Sequence, residues 1–272
     1  MNLGLNDQVI LVSGGGSGIG QAISRSCLEE GALVVVAGRR TEEVDAFQQD
    51  LAATRAERCI FFHTELADPL HCEEAIDLVR TRFGRLDGLV NSAGANDHIG
   101  LETGDPHRFE GSLRQNLLHY YSLAHFALPL LKETRGSIVN ISSKVAVTGQ
   151  GGTSAYAAAK GAQLALTREW AAELLPYGVR VNAVVPAEVL TPLYLRWLAE
   201  TDSKRSLRDI EQRIPLNGRL THAQEIAAAV AFLLSPTMSG HTTAQHVFVD
   251  GGYTHLDRAL TSGRAVPQPP QS

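Results

Sequence analysis

A phenol and an ammonium stand four residues apart in Tyr156-Ala157-Ala158-Ala159-Lys160. In an alanine-rich helix that spacing puts one above the other on a single face. Such a pair can move protons. A tyrosine in water titrates near pH 10, too high to serve as a base at neutral pH. A fixed cation on the same face favours the phenolate, and lowering the pKa by about 3 units requires roughly 4 kcal/mol of differential stabilisation. Upstream, Ile138-Val139-Asn140-Ile141 has the continuous apolar character of a short buried strand, and its end delivers Ser142 and Ser143 into a glycine-rich loop. Their hydroxyls are placed to bond a substrate oxygen. An alanine-rich helix can also carry a Tyr and a Lys as solvated surface residues, so the pair gains meaning only from the elements around it.

Those elements alternate. Val9-Ile10-Leu11-Val12 is an apolar run of the kind found in strands buried on both faces. Ser13-Gly14-Gly15-Gly16-Ser17-Gly18-Ile19-Gly20 follows, then a helix expected over 21–30 and a second strand over 33–37. A glycine loop between strand and helix lets the backbone approach a pyrophosphate, which then sits on free N–H groups at the helix N-terminus. An oxidised nicotinamide bound there would add its own positive charge to that of Lys160 beside Tyr156. The second strand ends in Gly38-Arg39-Arg40, where an NAD site usually presents an acid to the ribose hydroxyls. Two guanidinium groups suit a 2′-phosphate, so NADP is the expected cofactor, with NAD as the alternative. Both arginines can equally cap a strand end in solvent.

Further along, the pattern predicts a polar helix over 41–54, a strand over 59–62, an amphipathic helix over 70–83 and a strand from Leu86 ending in Asn91-Ser92-Ala93-Gly94. One long helix over 106–132, the 155–175 helix, a strand over 179–186, a charged helical lid over 193–214, an apolar helix over 223–234 and a closing strand and turn over 245–252 complete it. The expected fold is α/β, a doubly wound parallel sheet of Rossmann type, in one domain with helices on both faces. That domain is expected over 1–261, with a disordered tail over 262–272 that carries Pro267, Pro269 and Pro270.

The 272 residues, 44% of them hydrophobic, suffice for one sizeable core. A net charge of −5 gives no basic patch for nucleic acid. Cys27, Cys59 and Cys72 are odd in number and scattered, and neither staple a secreted fold nor cage a metal. His98 lacks a second ligand at workable spacing, so no metal is expected. Neither a signal peptide nor a membrane-length apolar run is seen, and a cytoplasmic protein is expected.

Ser143, Tyr156 and Lys160, with Ser and Tyr thirteen apart, and glycines at 14, 18 and 20 in a G-x-x-x-G-x-G pattern, resemble the short-chain dehydrogenase/reductase family. The resemblance covers about the first 255 residues. It implies a catalytic set of Asn116, Ser143, Tyr156 and Lys160, with Asn116 at the position thought to hold a water that relays protons to the lysine. It also implies a nucleotide cradle of Ser13 (normally threonine), Gly14, Gly16, Ser17, Gly18 and Ile19. Glu65 and Leu66, in place of an Asp-hydrophobe pair, would hold adenine. Asn91, Ala93 and Gly94 (N-S-A-G for the usual N-N-A-G) would lie beside the adenosine, with Asn91 as much structural as functional. Pro186, Val189 and Thr191 would hold the nicotinamide, with Ala187 replacing a usual glycine. The small residues Ala157, Ala158, Gly161, Ala162 and Ala165 permit close helix packing, which in this family commonly joins subunits and implies a homotetramer.

For the substrate, the loops after the strands carry Asn96, Asp97 and His98, then Ser143, Lys144 and Gln150, then Glu188. Ligands bind at strand C-termini in such sheets, and these polar groups suit a polyhydroxylated substrate better than a steroid or acyl chain. The segments 96–101, 116–121, 143–151, 186–189 and 251–258 resemble the family's bacterial L-fucose dehydrogenases, which implies oxidation of the anomeric carbon to a lactone. A reductase of another carbonyl, such as a 3-oxoacyl thioester, and a catalytically silent NADP-binding sensor are the other readings.

Overall fold

The computed structural model describes residues 2–52, 55–192, 194–196 and 207–257. Seven parallel strands form one sheet in the order β3-β2-β1-β4-β5-β6-β9: β1 Val9–Ser13, β2 Leu33–Gly38, β3 Cys59–His63, β4 Gly88–Asn91, β5 Ser137–Ile141, β6 Arg180–Pro186 and β9 His246–Val249. A two-stranded ladder of β7 Val189–Leu190 and β8 Thr221–His222 lies beyond β6. The strand order reverses between β1 and β4, where Ser13 pairs with Asn91. At such a switch point the connections leave in opposite directions and a crevice opens at the strand C-termini.

The period of two along each strand assigns the two cores. Ile10, Val12, Val34 and Val36 point to the face covered by α1 (Gly18–Glu29) and α7 (Ala223–Leu234), against Ile23, Ile226 and Val230. Val9, Leu11 and Val35 point to the face covered by α3 (Pro69–Phe83), α5 (His119–Thr134) and α6 (Ser154–Leu174), against Ile76, Leu123 and Trp170. A polar helix α2 (Glu42–Ala52) lies after β2, with Val44, Phe47 and Leu51 turned inward.

Two elements depart from expectation. Helix α1 starts at Gly18, three residues earlier than the pattern suggested, because Gly20 packs on the glycine loop: a Cβ there would lie 2.1 Å from the Gly14 carbonyl oxygen. The long helix expected over 106–132 is not uniform. It runs as α4 (Pro106–Leu113), a π turn (Arg114–Leu118) and then α5. Asn116 sits in that turn, its Nδ2 donating back to the Ser112 carbonyl at 3.1 Å and Oγ at 3.3 Å. Such side-chain bonds divert a helix from regular α geometry. Most of the expected 193–214 lid and the whole 262–272 tail lie outside the described residues; a short helix, Leu207–Glu211, is present within the former.

Candidate active site

A cleft of about 420 Å³ opens at the C-terminal ends of β1, β4, β5 and β6. Gly14, Gly16, Ser17, Gly18 and Ile19 line one end of it, with Arg39, Glu65, Leu66, Ala93 and Gly94 around them. Pro186, Val189 and Thr191 line the wall toward Ser143, Tyr156 and Lys160, which face the same space.

The glycine end fits a dinucleotide. Gly14 and Gly18 have φ of +65° and +50°, which L side chains rarely adopt, and a Cβ on Gly14 would come within 2.8 Å of the Ala93 backbone. No acidic residue occupies the first turn of α1, and Ser17 makes no side-chain capping bond. The N–H groups of that turn are therefore left for an anion. Arg39 reaches into the cleft with its Nε 4.0 Å from Glu65 Oε2. Arg40 is held aside, its Nε donating to both oxygens of Asp45 at 2.8 and 3.2 Å.

Ser13 and Asn91 are buried beneath the cleft and line none of it. Ser13 Oγ accepts from the amides of Ser92 at 3.0 Å and Ala93 at 3.2 Å, and Asn91 Nδ2 donates to Asn140 Oδ1 at 3.0 Å. Both tie β1, β4 and β5 together and hold the loop that walls the cleft. Asn116 is likewise buried. Its Oδ1 accepts from Ala95 N at 2.9 Å, close over Gly94, where a Cβ would meet that oxygen at 2.8 Å.

The electrostatics at Tyr156 correct an expectation. Burial pushes its phenol up to about 12, a hydrogen bond with Ser143 works downward, and the charge of Asp97 adds to the rise. Lys160 does not lower it in this structure. Burial brings Lys160 itself down to about 7, and its Nζ is directed elsewhere: to Ile141 O at 2.8 Å, Gln163 Oε1 at 3.2 Å and Tyr120 Oη at 3.3 Å. The ammonium lies 5.4 Å from the centre of the Tyr156 ring. With acceptors on β5, on α5 and one turn along its own helix, the lysine is held in place by the fold itself.

Lys144 and Glu188 form a second charged centre beyond the cleft lining. They join in a salt bridge with side-chain exposures of 8% and 17%, and Lys144 Nζ lies 4.1 Å over the ring of Tyr253. Asn96 Oδ1 accepts from His98 N in its own loop at 3.1 Å and from Thr153 Oγ1, at the start of α6, at 2.6 Å. Asp97 Oδ1 is buried without a hydrogen-bond partner among the described residues. Gln150 is exposed at the loop tip and is not brought to the cleft.

Several residues were not anticipated. Gln115, His119 and Tyr194 line the cleft. His119 is brought down to about 4 by burial, against a backbone hydrogen bond to Gln115. Tyr120 and Gln163 contact Lys160, and Tyr253 contacts Lys144. The signal for two of them was helical spacing: Gln163 stands three residues after Lys160, and His119 three after Asn116.

The profile described as enoyl-(acyl carrier protein) reductase matches residues 14–254. L-fucose dehydrogenase of Bos taurus is 35% identical over 262 residues, spanning 96% of this chain and 94% of that protein. The crystal structure of Cj0485 dehydrogenase has a TM-score of 0.89 at 40% identity, covering 96% of this chain and 99% of that one. Aldohexose dehydrogenase of Thermoplasma acidophilum has a TM-score of 0.83 at 27% identity, covering 98% and 100%. With its sheet order, its glycine cradle and the Ser143, Tyr156 and Lys160 cluster, the chain belongs to the short-chain dehydrogenase/reductase family, as an NAD(P)-dependent oxidoreductase acting on hydroxyl groups.

Proposed function

We infer that the protein oxidises an aldose, L-fucose or a close relative, at C1 to the lactone, with NADP as acceptor. The observation that carries this reading is the largely buried charged pair Lys144–Glu188 beside Tyr253, one residue from Ser143. A carboxylate, an ammonium and an aromatic face together read hydroxyls and the apolar face of a sugar ring, whereas an acyl chain has no group to hydrogen-bond the two charges. The names of two similar proteins, an L-fucose dehydrogenase and an aldohexose dehydrogenase, support the same substrate class.

When bound, the nicotinamide supplies the acceptor for the hydride leaving C1. Ser143 holds the C1 oxygen and, through its hydrogen bond to Tyr156, favours the phenolate. Tyr156 takes the proton of the C1 hydroxyl, so that the C1–O bond becomes the carbonyl of the lactone. Lys160 binds the nicotinamide ribose and supplies positive charge beside Tyr156. Asn116 supports the loop at Gly94 and Ala95. Gly14, Gly16, Ser17, Gly18 and Ile19 hold the pyrophosphate, Leu66, Ala93 and Gly94 the adenosine, and Val189 and Thr191 the carboxamide. Arg39 reads the 2′-phosphate. Arg40, spent on Asp45, contributes less than the sequence suggested.

A homotetramer is part of this reading. Ala158 and Ala165 are exposed on α6, and a Cβ on Gly161 would meet only the Ala146 oxygen at 3.9 Å, which leaves room for a second helix. A cytoplasmic setting is supported by the free thiols of Cys27, Cys59 and Cys72, all buried. The name of another similar protein, a 3-oxoacyl-[acyl-carrier-protein] reductase of Thermotoga maritima, favours one other reading, reduction of an acyl-carrier-bound carbonyl. Formation of reduced nicotinamide with NADP or NAD and a panel of aldoses, L-fucose, L-galactose and D-arabinose among them, separates the two. Turnover of L-fucose that is lost in Tyr156→Phe supports the aldose reading. No aldose turnover, with a 3-oxoacyl thioester reduced instead, would overturn it.

A further inference from the structure

Gln163 is fully buried on α6, one turn from Lys160, and no part of the mechanism above uses it. Its amide bridges two elements. Nε2 donates to the carbonyl oxygen of Asn116 at 2.6 Å, and Oε1 accepts from Lys160 Nζ at 3.2 Å. The orientation is dictated by the neighbours. A flipped amide would aim its NH2 at an ammonium and its oxygen at a carbonyl, losing both bonds. The π turn places the Asn116 carbonyl within reach of α6, and Asn116 ties the same turn to Ala95 at the cleft wall. Behind Gln163 the polar line continues: Thr167 Oγ1 donates to its carbonyl at 2.7 Å and accepts from Asn140 Nδ2 at 2.9 Å, and Asn140 meets Asn91. Gln163 and Thr167, satisfied in this way, hold one arrangement, because any other leaves a donor or acceptor bare.

We propose that Gln163 is a positioning residue: its amide joins Lys160 to the Asn116 turn and keeps the ammonium charged and in place beside Tyr156. This rests on the reading of Tyr156 and Lys160 as the proton-transfer pair. Among the described residues, Lys160 has no carboxylate among the hydrogen-bond partners of its Nζ. The groups that meet it are Tyr156 on its own helix, Tyr120 and His119 on α5 and the neutral Ile141 carbonyl of β5, while Asp97 from the loop after β4 acts on Tyr156. With only neutral acceptors to hold an ammonium in a dry site, each one matters. With oxidised NADP bound, the positive nicotinamide would bring the Tyr156 titration down toward the range where Lys160 still carries its proton. There, loss of Oε1 favours the neutral amine, and a neutral amine no longer supports a phenolate at Tyr156.

The test is a tyrosinate absorbance titration of the full chain with oxidised NADP bound, in the wild type, Tyr156→Phe, Gln163→Met and Gln163→Ala. The component missing from Tyr156→Phe is that of Tyr156. In Gln163→Met, which fills the space with no acceptor for an ammonium comparable to the amide oxygen, its midpoint is expected to rise by about one to two pH units. In Gln163→Ala a water can enter and take up both bonds, so the midpoint rises by less. A purely packing role predicts the reverse order, since alanine leaves the larger void. A wild-type midpoint in either variant, or a larger shift in alanine than in methionine, overturns the proposal. The titration needs no sugar, so it judges Gln163 even where every aldose fails. Where an aldose is oxidised, the rising limb of kcat/KM against pH moves in the same direction.

Discussion

Two lysines are buried at this site, and the protein treats their charges differently. Lys144 is met by a carboxylate, Glu188, and by the face of Tyr253. Lys160 is met by two carbonyl oxygens and a phenol, none of them charged. Burial brings Lys160 down to about 7, so its proton is loosely held near neutral pH. A lysine neutralised by a carboxylate makes a fixed polar surface, suited to recognition. One held by neutral acceptors can gain or lose its charge during a reaction, suited to proton transfer.

Replacing each lysine breaks the comparison most directly. Lys160→Met should lower kcat by about 10²–10⁴-fold, the usual range for losing an acid–base partner. Lys144→Met should act mainly on KM for the sugar; steady-state kinetics in the two substrates separates the effects. Glu188→Gln strands a buried ammonium and should cost about 3 kcal/mol of stability together with kcat/KM on the sugar. The double variant Lys144→Met/Glu188→Gln should regain much of that stability in chemical denaturation, which a mere packing defect would not do. Unchanged kcat/KM in Glu188→Gln would remove Glu188 from substrate recognition.

The loosely held proton also has a consequence for stability. The folded-state pKa of Lys160 lies below its unfolded value, about 7 against 10.5. Between these values the unfolded chain binds more protons, so stability rises with pH through that window and is lost as pH falls toward 7. Wild type should therefore gain on Lys160→Met from neutral toward alkaline pH in paired thermal melts. A constant difference would mean that Lys160 titrates normally. The smallest effects belong to the nucleotide end. Arg39→Ala should raise KM for NADP by about tenfold and leave NAD unchanged. Arg40→Ala, which releases only Asp45, should change neither by much.

The nucleotide end was legible in the sequence because its demands are local. Positive φ at Gly14 and Gly18, and the close seat of Gly20 on Gly14, require glycine whatever lies elsewhere. The apolar runs at 9–12 and 33–37 read directly as doubly covered strands. Arg40 was harder to place from sequence, because Asp45, five residues on in α2, offers the same guanidinium a partner. The π turn escaped because Asn116, whose side chain bends back on Ser112, is fixed from across the fold: Ala95 N donates to its Oδ1 and Gln163 Nε2 to its carbonyl. Tyr253 escaped for the same reason: only the turn after β9 brings it over Lys144. The lowered charge affinity of Lys160 was likewise hidden, since spacing reveals a neighbour but not how dry the site is.

In the proposed reaction the hydride leaves C1 of an aldose. That step is tested most directly by supplying L-fucose deuterated at C1 and following both the rate and the label. Deuterium is expected in the reduced nicotinamide, with a slower hydride step in single-turnover experiments. Turnover at the undeuterated rate with no label in the nucleotide would place the chemistry at another carbon and contradict it.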